Sequence, residues 1–407
     1  MSKRIVVIGG GAAGLMAAGV AGKNGNEVIV LEKNARPARK VMITGKGRCN
    51  VTNDTDIAGL INAVNKNGKF LYSAFSAFSA QDTKAFFEGE GVPLKTERGN
   101  RVFPVSDKSV DIVDALVSFA RKNSEIRTAR ATEIIARDGR VVAVETEDGR
   151  IECDSVILAT GGLSYPTTGS TGDGYEMARK LGHSITDLRP SLVGVECFEG
   201  FTSHLQGLSL KNIGLKVYKN DGKKPIYTDF GELLFTHFGI SGPTVLSASA
   251  KLSDTENNRY TFYIDLKPAL TEDELDKRLI RDFGENINKD FQNSLDALLP
   301  KKLIPVIVSL SGIPAHTKVN QISREQREAL IKQLKALKLT ALSLRPIEEA
   351  VITAGGISLS EVDPKTMGSR LIEGLFFAGE ILDLDACTGG FNLQIAFSTG
   401  FAAGNSI

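Results

Sequence analysis

The sequence predicts an α/β protein: a mainly parallel sheet carrying a β-meander, interrupted by a barrel-like run of short strands and then by a helical segment. Three observations carry this reading. The N-terminus alternates strand, glycine-rich turn, helix and strand. Residues 132–162 read as a meander that returns to a buried strand. The C-terminal stretch "GLFFAGEILDLDACTGGFNLQIAFSTG" (Gly374 to Gly400) combines an apolar strand, a Gly-Glu pair, an acidic loop with two glycines and a small-residue helix.

The first of these is the most informative. Ile5 to Ile8 form an apolar strand, Gly9-x-Gly11-x-x-Gly14 leads into a helix of Ala, Leu and Met, and a second strand, Glu27 to Leu31, ends at Glu32. This is the β-α-β dinucleotide fingerprint with its context present. Gly9 permits the tight turn, Gly11 lets the backbone approach a pyrophosphate, and Gly14 lets helix and sheet pack closely. The helix N-terminus offers unpaired N–H groups and a positive dipole end to phosphates. Glu32 is placed to accept hydrogen bonds from ribose hydroxyls, and its charge would repel a 2′-phosphate. FAD and NAD both fit at this point.

In the meander, Asp138-Gly139 and Asp148-Gly149 are strong hairpin signals between alternating apolar residues. The fourth strand, Ser155 to Ala159, is continuously apolar, as a strand covered on both faces must be. It ends in Ala159-Thr160-Gly161-Gly162, at the carboxyl edge where ligands bind in open α/β sheets.

This order of parts resembles the glutathione-reductase-like FAD superfamily, in which a β-meander interrupts the nucleotide-binding fold and an Ala-Thr-Gly turn follows it. The resemblance implies that Leu375 to Ala378 complete the same sheet, that Gly379-Glu380 meet the ribityl or phosphate region of FAD, and that N–H groups at Gly389-Gly390 face the flavin. A closer resemblance spans almost the whole chain. "GKGRCNVTN", "ATGGLSYPTTGSTGDGY", "LLFTHFGISGP", "TAGGIS", "TMGSR" and "GLFFAGEILDLDACTGGFNLQIA" are similar to motifs of a bacterial flavoprotein family that includes aminoacetone oxidase and a proposed bile-acid reductase. That family implies a Rossmann-like FAD-binding domain formed by both chain ends. It carries FAD binding to Gly9, Gly11, Ala13, Gly14, Glu32 and Lys33 near the N-terminus, and to Lys40, Arg48, Cys49 and Asn50 after them. Further on it marks Thr160, Gly161, Gly379, Glu380, Gly390, Asn392, Leu393 and Gln394. The family often has three glycines before the arginine of the first motif; here Lys46 interrupts them, either adding a cation near a phosphate or substrate carboxylate or simply facing solvent.

The expected organisation is 1–190 and 346–407 for the two parts of the FAD domain, 191–268 for an inserted β domain and 269–345 for a helical subdomain. Short strand candidates such as "IGLKVYK" and "RYTFYIDL" suggest a small barrel. Thr271 with Glu274, and Ser323 with Gln326, are capping boxes that open helices. Leu275, Leu279, Phe283, Ile287, Phe291 and Leu295 repeat every four residues as one buried stripe, and Lys332, Lys335 and Lys338 read as a solvated face.

For catalysis the candidates are His237, inside "FTHFGISGP", and Tyr165, just past the Ala-Thr-Gly turn. Each has a plain structural alternative, a loop tie for His237 and a core role for Tyr165. Four scattered cysteines give neither a metal site nor a disulfide relay. No second complete glycine fingerprint is present, so NAD(P)H would dock only transiently as electron donor, and oxygen is the alternative redox partner. The expectation is an FAD-dependent oxidoreductase moving hydride between flavin and a small organic substrate, an amine or an unsaturated carbonyl compound. A flavin-binding regulatory or assembly protein, and an FAD enzyme acting on RNA, are the alternatives. With Lys plus Arg 49 against Asp plus Glu 48, no nucleic-acid partner is expected. Without a signal peptide or a bilayer-spanning apolar run, neither is membrane association, and cytoplasmic residence is the default.

Overall fold

The computed structural model describes residues 2–407. The central sheet begins with β1 (Arg4–Ile8), followed by helix α1 (Ala12–Lys23) and strand β2 (Glu27–Glu32). A helix α2 (Ser109–Asn123) leads to β3 (Glu125–Thr128), and the meander is followed by β4 (Ser155–Leu158). Strand β5 (Leu375–Phe377) and helix α3 (Phe391–Asn405) come from the far end of the chain. The strand order is β5-β4-β1-β2-β3, every pairing parallel. Residues more than 200 positions apart are therefore hydrogen-bonded neighbours, Val156 opposite Leu375. The interior strands are apolar throughout because both faces are covered, and Val6, Val7, Ile157 and Leu158 have no exposed surface.

Helix α1 owes its Gly/Ala composition to neighbours on more than one side. A Cβ at Gly19 would stand 2.2 Å from the Phe119 ring of α2. From the other side, a Cβ at Gly400 or Gly404 of α3 would stand 2.4 Å from the carbonyl oxygens of Ala13 and Ala17. Only hydrogen fits at these crossings, so the two ends of the chain are locked by backbone contact. The meander (Ala131–Arg137, Arg140–Thr146, Gly149–Glu152) is antiparallel as its turns predict. Asp138 (φ 50°) and Gly139 (φ 74°) both take the left-handed backbone that a tight hairpin demands.

The chain divides into two units, one of residues 1–191 with 346–407, the other of residues 192–345. The second unit contains a closed barrel with strand order Val195–Cys197, Gly239–Ser241, Tyr227–Phe235, Ser209–Lys219, Tyr260–Asp265, Leu337–Leu344. The last of these corrects the expected helical segment: the chain leaves the helix Arg324–Lys335 through one residue and enters a barrel strand. Barrel and helices share one apolar core. Both expected capping boxes form, with Thr271 accepting from the Glu274 N–H and Ser323 from the Gln326 N–H. The four-residue stripe stops early, because the first helix ends at Gly284 and Asn286 turns its amide back onto the Asp282 carbonyl. Ile287 is 52% exposed, while Phe291 and Leu295 are buried from a separate turn. Lys335 is not on a solvated face: its Nζ donates to the Lys267 and Leu270 carbonyls and lies 2.6 Å from Asp265. Among the described residues, no helix is long and apolar enough to cross a membrane.

Candidate functional site

In the first unit the carboxyl edge of the sheet and the N-termini of α1 and α3 surround one cavity of about 1310 Å³, counting the space at its mouth. It is lined by Gly9, Gly11 and Ala13 from the first turn, by Glu32, Lys33 and Lys40 after β2, and by Thr160 and Gly161 after β4. Gly379, Glu380, Asn392 and Leu393 close it from the C-terminal side.

The glycine turn is built for close approach. Gly9 has φ +107°, and a Cβ on it would meet the Ala159 carbonyl oxygen at 2.4 Å. A Cβ on Gly14 would stand 1.9 Å from the Gly9 oxygen, so Gly14 packs helix against strand and does not line the cavity. Gly11 is the reverse: nothing lies within 4 Å of where its Cβ would be, which leaves bare backbone facing the cavity. Glu32, 9% exposed, accepts from the Gly10 N–H at 2.9 Å and from the backbone and side-chain N–H groups of Asn34 at 2.8 and 2.7 Å. Its carboxylate thus holds the turn in shape as well as facing the cavity. Both α1, capped by Gly11, and α3, capped by Gly390, begin without a side-chain cap. Each leaves first-turn amides and the positive end of a helix dipole at the cavity wall. This donor set, with bare glycine backbone beside it, fits a dinucleotide.

A largely buried ion pair ties the two chain ends together across the cavity wall. Lys40 Nζ lies 2.5 Å from Glu380 Oε2 and donates to Ser164 Oγ at 2.5 Å. Glu380 Oε1 accepts from Ser164 Oγ at 2.8 Å and from the Thr353 N–H at 2.9 Å. Lys33 is paired with Asp173 at 3.0 Å. The Thr160 hydroxyl is buried without a hydrogen-bond partner among the described residues, packed where a Cβ on Gly174 would collide with it.

Several residues that the family resemblance marked do not line the cavity, each for a physical reason. The Arg48 guanidinium is held by Glu97 and Asp107, which raise it above its ordinary value, and it stacks on Phe103 at 4.2 Å. Cys49 is fully buried, and burial pushes its thiol up to about 12. Asn50 turns its amide inward, donating to the Val102 and Thr52 carbonyls and accepting from the Gly390 N–H at 3.1 Å. That bond occupies the Gly390 N–H expected to face a flavin. Gln394 is fully buried in a network that accepts from Thr52 and Thr83 hydroxyls and donates to Phe78 O and Ser398 Oγ. Asn392 lines the cavity, but its side chain clamps both backbone groups of Ala386.

The two catalytic candidates fall in different units. Tyr165 is half-buried in a left-handed turn (φ 52°) outside the cavity lining, where burial and then Glu349 push its phenol above the ordinary value. His237 belongs to the second unit, exposed and edge-on to Phe238 at 5.0 Å between ring centroids. Sequence reasoning missed Asn34, Arg39, Ala129, Arg130, Ala131 and Asp173, which also line the cavity. Residues 129–131 directly follow β3, so the rule that ligands collect at carboxyl ends of parallel strands was the available signal. Asp173 has no local signal, since it is recruited through Lys33.

A parallel sheet with a glycine cradle at its carboxyl edge, a β-meander, and a cavity closed by both chain ends defines an FAD-dependent oxidoreductase of the Rossmann type. The chain belongs to the family described as HI0933-like protein Rossmann domain, whose model matches residues 3–406. It is 30% identical over 408 residues to the 3-dehydro-bile acid delta(4,6)-reductase of Clostridium scindens, covering 99% of this chain and 98% of that protein. It is 29% identical over 404 residues to the ribosomal RNA dihydrouridine synthase of Escherichia coli, covering 99% and 97%. Among solved structures, the 3-ketosteroid delta1-dehydrogenase from Sterolibacterium denitrificans superposes with a TM-score of 0.53 at 13% identity, covering 99% of each chain. At that identity the likeness is one of fold.

Proposed function

We propose that the protein uses FAD to reduce a carbon–carbon double bond conjugated to a carbonyl group in a small organic substrate, with NAD(P)H as electron donor. The observation that carries this reading is the single cavity on which two uncapped helix N-termini and the Gly11 backbone converge from opposite ends of the chain. The names of two relatives supply the bond type. A 3-oxo group with delta-4 and delta-6 double bonds is a conjugated dienone, and dihydrouridine is uridine reduced at a double bond conjugated to a ring carbonyl.

FAD, when bound, supplies hydride exchange at the flavin N5. The chain's own residues do the holding. The amides at the start of α1 and the bare Gly11 backbone would take the pyrophosphate, and Glu32 would accept from the ribose while excluding a 2′-phosphate. The start of α3, with Asn392 and Leu393, would offer its positive dipole end to the negative charge of a reduced flavin. Lys40 and Glu380 fix the wall between these two ends. We assign no proton transfer to Tyr165, which does not line the cavity of its own unit.

The test is anaerobic reduction of the holoenzyme with NADH or NADPH, followed by reoxidation with a conjugated enone, its isolated-alkene isomer, or air. Reoxidation by the enone and not by the isomer is expected. A reduced enzyme that only oxygen reoxidises defeats the proposal. A second reading, reduction of uridine in ribosomal RNA, is favoured by the full-length similarity to the Escherichia coli and Haemophilus influenzae enzymes. The same reduced enzyme mixed with ribosomal RNA, followed by mass analysis for a two-hydrogen gain on uridine, checks it.

A further inference from the structure

Most cations around the cavity are neutralised: Lys33 by Asp173, Lys40 by Glu380, and Arg130 by Glu147 and Asp173. Arg48, just outside, is held by Glu97 and Asp107. Arg39, which lines the cavity, and Lys46 have no carboxylate partner among the described residues; Arg39 is tied to Asn34 Oδ1 at 3.0 Å, whereas Lys46 is exposed. It also stands in left-handed backbone, φ 59° and ψ 40°, between Gly45 at φ 58° and Gly47 at φ 83°. A side chain there is disfavoured, because its Cβ crowds the backbone where a third glycine would not.

The turn that carries Lys46 is held from several sides. Thr44, which lines the cavity, donates its hydroxyl to the Val41 carbonyl at 2.7 Å and accepts the Cys49 N–H at 3.0 Å. Cys49 is buried, Arg48 is stacked on Phe103, and Asn50 bonds the Gly390 N–H at the start of α3. Lys46 thus follows Thr44 by two residues on a turn that leads from the cavity wall to Asn50 and the start of α3, without itself lining the cavity. On the proposed reading this is the redox end, opposite the ribose site at Glu32.

We propose that Lys46 is a specificity-determining residue that selects substrates bearing a carboxylate remote from the reducible bond. The inference rests on the proposed function in taking the α3 end as the substrate end. An unneutralised cation held on a braced turn, at a backbone position that disfavours any side chain, is costly to keep unless its charge is used. A small-molecule carboxylate fits a single exposed ammonium better than a polyanion does, since a phosphate backbone is gripped by many cations at once.

The experiment is a binding titration of the oxidised holoenzyme, read by perturbation of the flavin spectrum, and needs no turnover. The probes are a saturated 3-oxo bile acid and its methyl ester. The expected result is that the acid binds about fivefold more tightly than the ester, the scale of one exposed charge pair. The preference falls to about onefold in Lys46→Gly and survives in Lys46→Arg. Lys46→Gly is expected to melt no lower than the parent, since glycine relieves the left-handed position. Equal binding of acid and ester by the parent, a preference that survives Lys46→Gly, or binding of neither probe overturns the inference. An oligouridylate that binds in a Lys46-dependent way, without acid-over-ester selection, overturns it in favour of a phosphate ligand. Acid-selective, Lys46-dependent binding without reduction of any enone sinks the proposed reaction and supports the role of Lys46.

Discussion

Removing the Lys40 ammonium while keeping the bulk of its side chain, as in Lys40→Met, isolates the ion pair that joins the two chain ends. The Glu380 side chain is 11% exposed and that of Lys40 is 23% exposed. Without Lys40, the Glu380 carboxylate keeps its bonds from Ser164 and Thr353 and loses its only charge partner among the described residues. Breaking a fully buried pair costs ~3–5 kcal/mol. Partial access to water at Lys40 reduces the expected loss to about 2 kcal/mol. Glu380→Gln leaves Lys40 free to reach solvent and should cost about 1 kcal/mol. The double variant should lose only about 1 kcal/mol, because no charge is left buried, against roughly 3 if the sites were independent. The chain has no tryptophan, so urea unfolding is best followed by circular dichroism, with release of flavin fluorescence reporting the first unit. An additive double variant, or a loss confined to a transition in which flavin stays bound, would refute the reasoning.

Gly11→Ala should leave the fold intact and strip bound flavin, whereas Gly14→Ala should fail to fold stably, because one Cβ meets open space and the other the Gly9 oxygen at 1.9 Å; flavin-to-protein absorbance and the melting temperature separate the two. Gln394→Leu should cost about 2 kcal/mol by orphaning the buried hydroxyl of Thr52 and leaving that of Thr83 only the Ser79 carbonyl, yet the folded fraction should bind flavin as before. A selective loss of flavin would restore the cofactor role that the resemblance assigned. His183 is buried against Glu361 and Ser369, and burial lowers its pKa below 6.5. Below that value the unfolded chain binds a proton that the folded chain refuses, so stability should fall as pH drops through about 6.5; His183→Gln should flatten that slope in urea titrations. Cys49, Cys153 and Cys197 are all pushed up to about 12 by burial. Unfolded thiols ionise near ~8.5, so stability should fall from there as pH rises, and Cys49→Ala should remove part of that fall.

What could be read ahead of the structure was whatever depends on neighbours three or four residues apart. The glycine turn, the Asp138-Gly139 hairpin and the two capping boxes are local devices, and each formed where its spacing placed it. The missed barrel strand shows the limit. Leu330 and Leu334 keep a helical period, Leu337 and Leu339 an alternating one, and only Ala336 separates the two regimes, with neither Gly nor Pro to mark the change. Arg48 and Gln394 show a second limit. Their meaning lies in Glu97, Asp107, Thr52 and Thr83, which no sequence spacing ties to them. The same distinction explains why a cofactor cradle was legible and a catalytic group was not. A cradle is a property of backbone, encoded by residues that lack a side chain, and glycines at the carboxyl edge of parallel strands can be recognised one turn at a time. Acid–base and substrate-selecting groups are side chains whose charge and reach are set by what neutralises them. Lys40 and Lys46 stand six residues apart in sequence, yet one is consumed by Glu380, 340 positions away, and the other is left with its charge unspent.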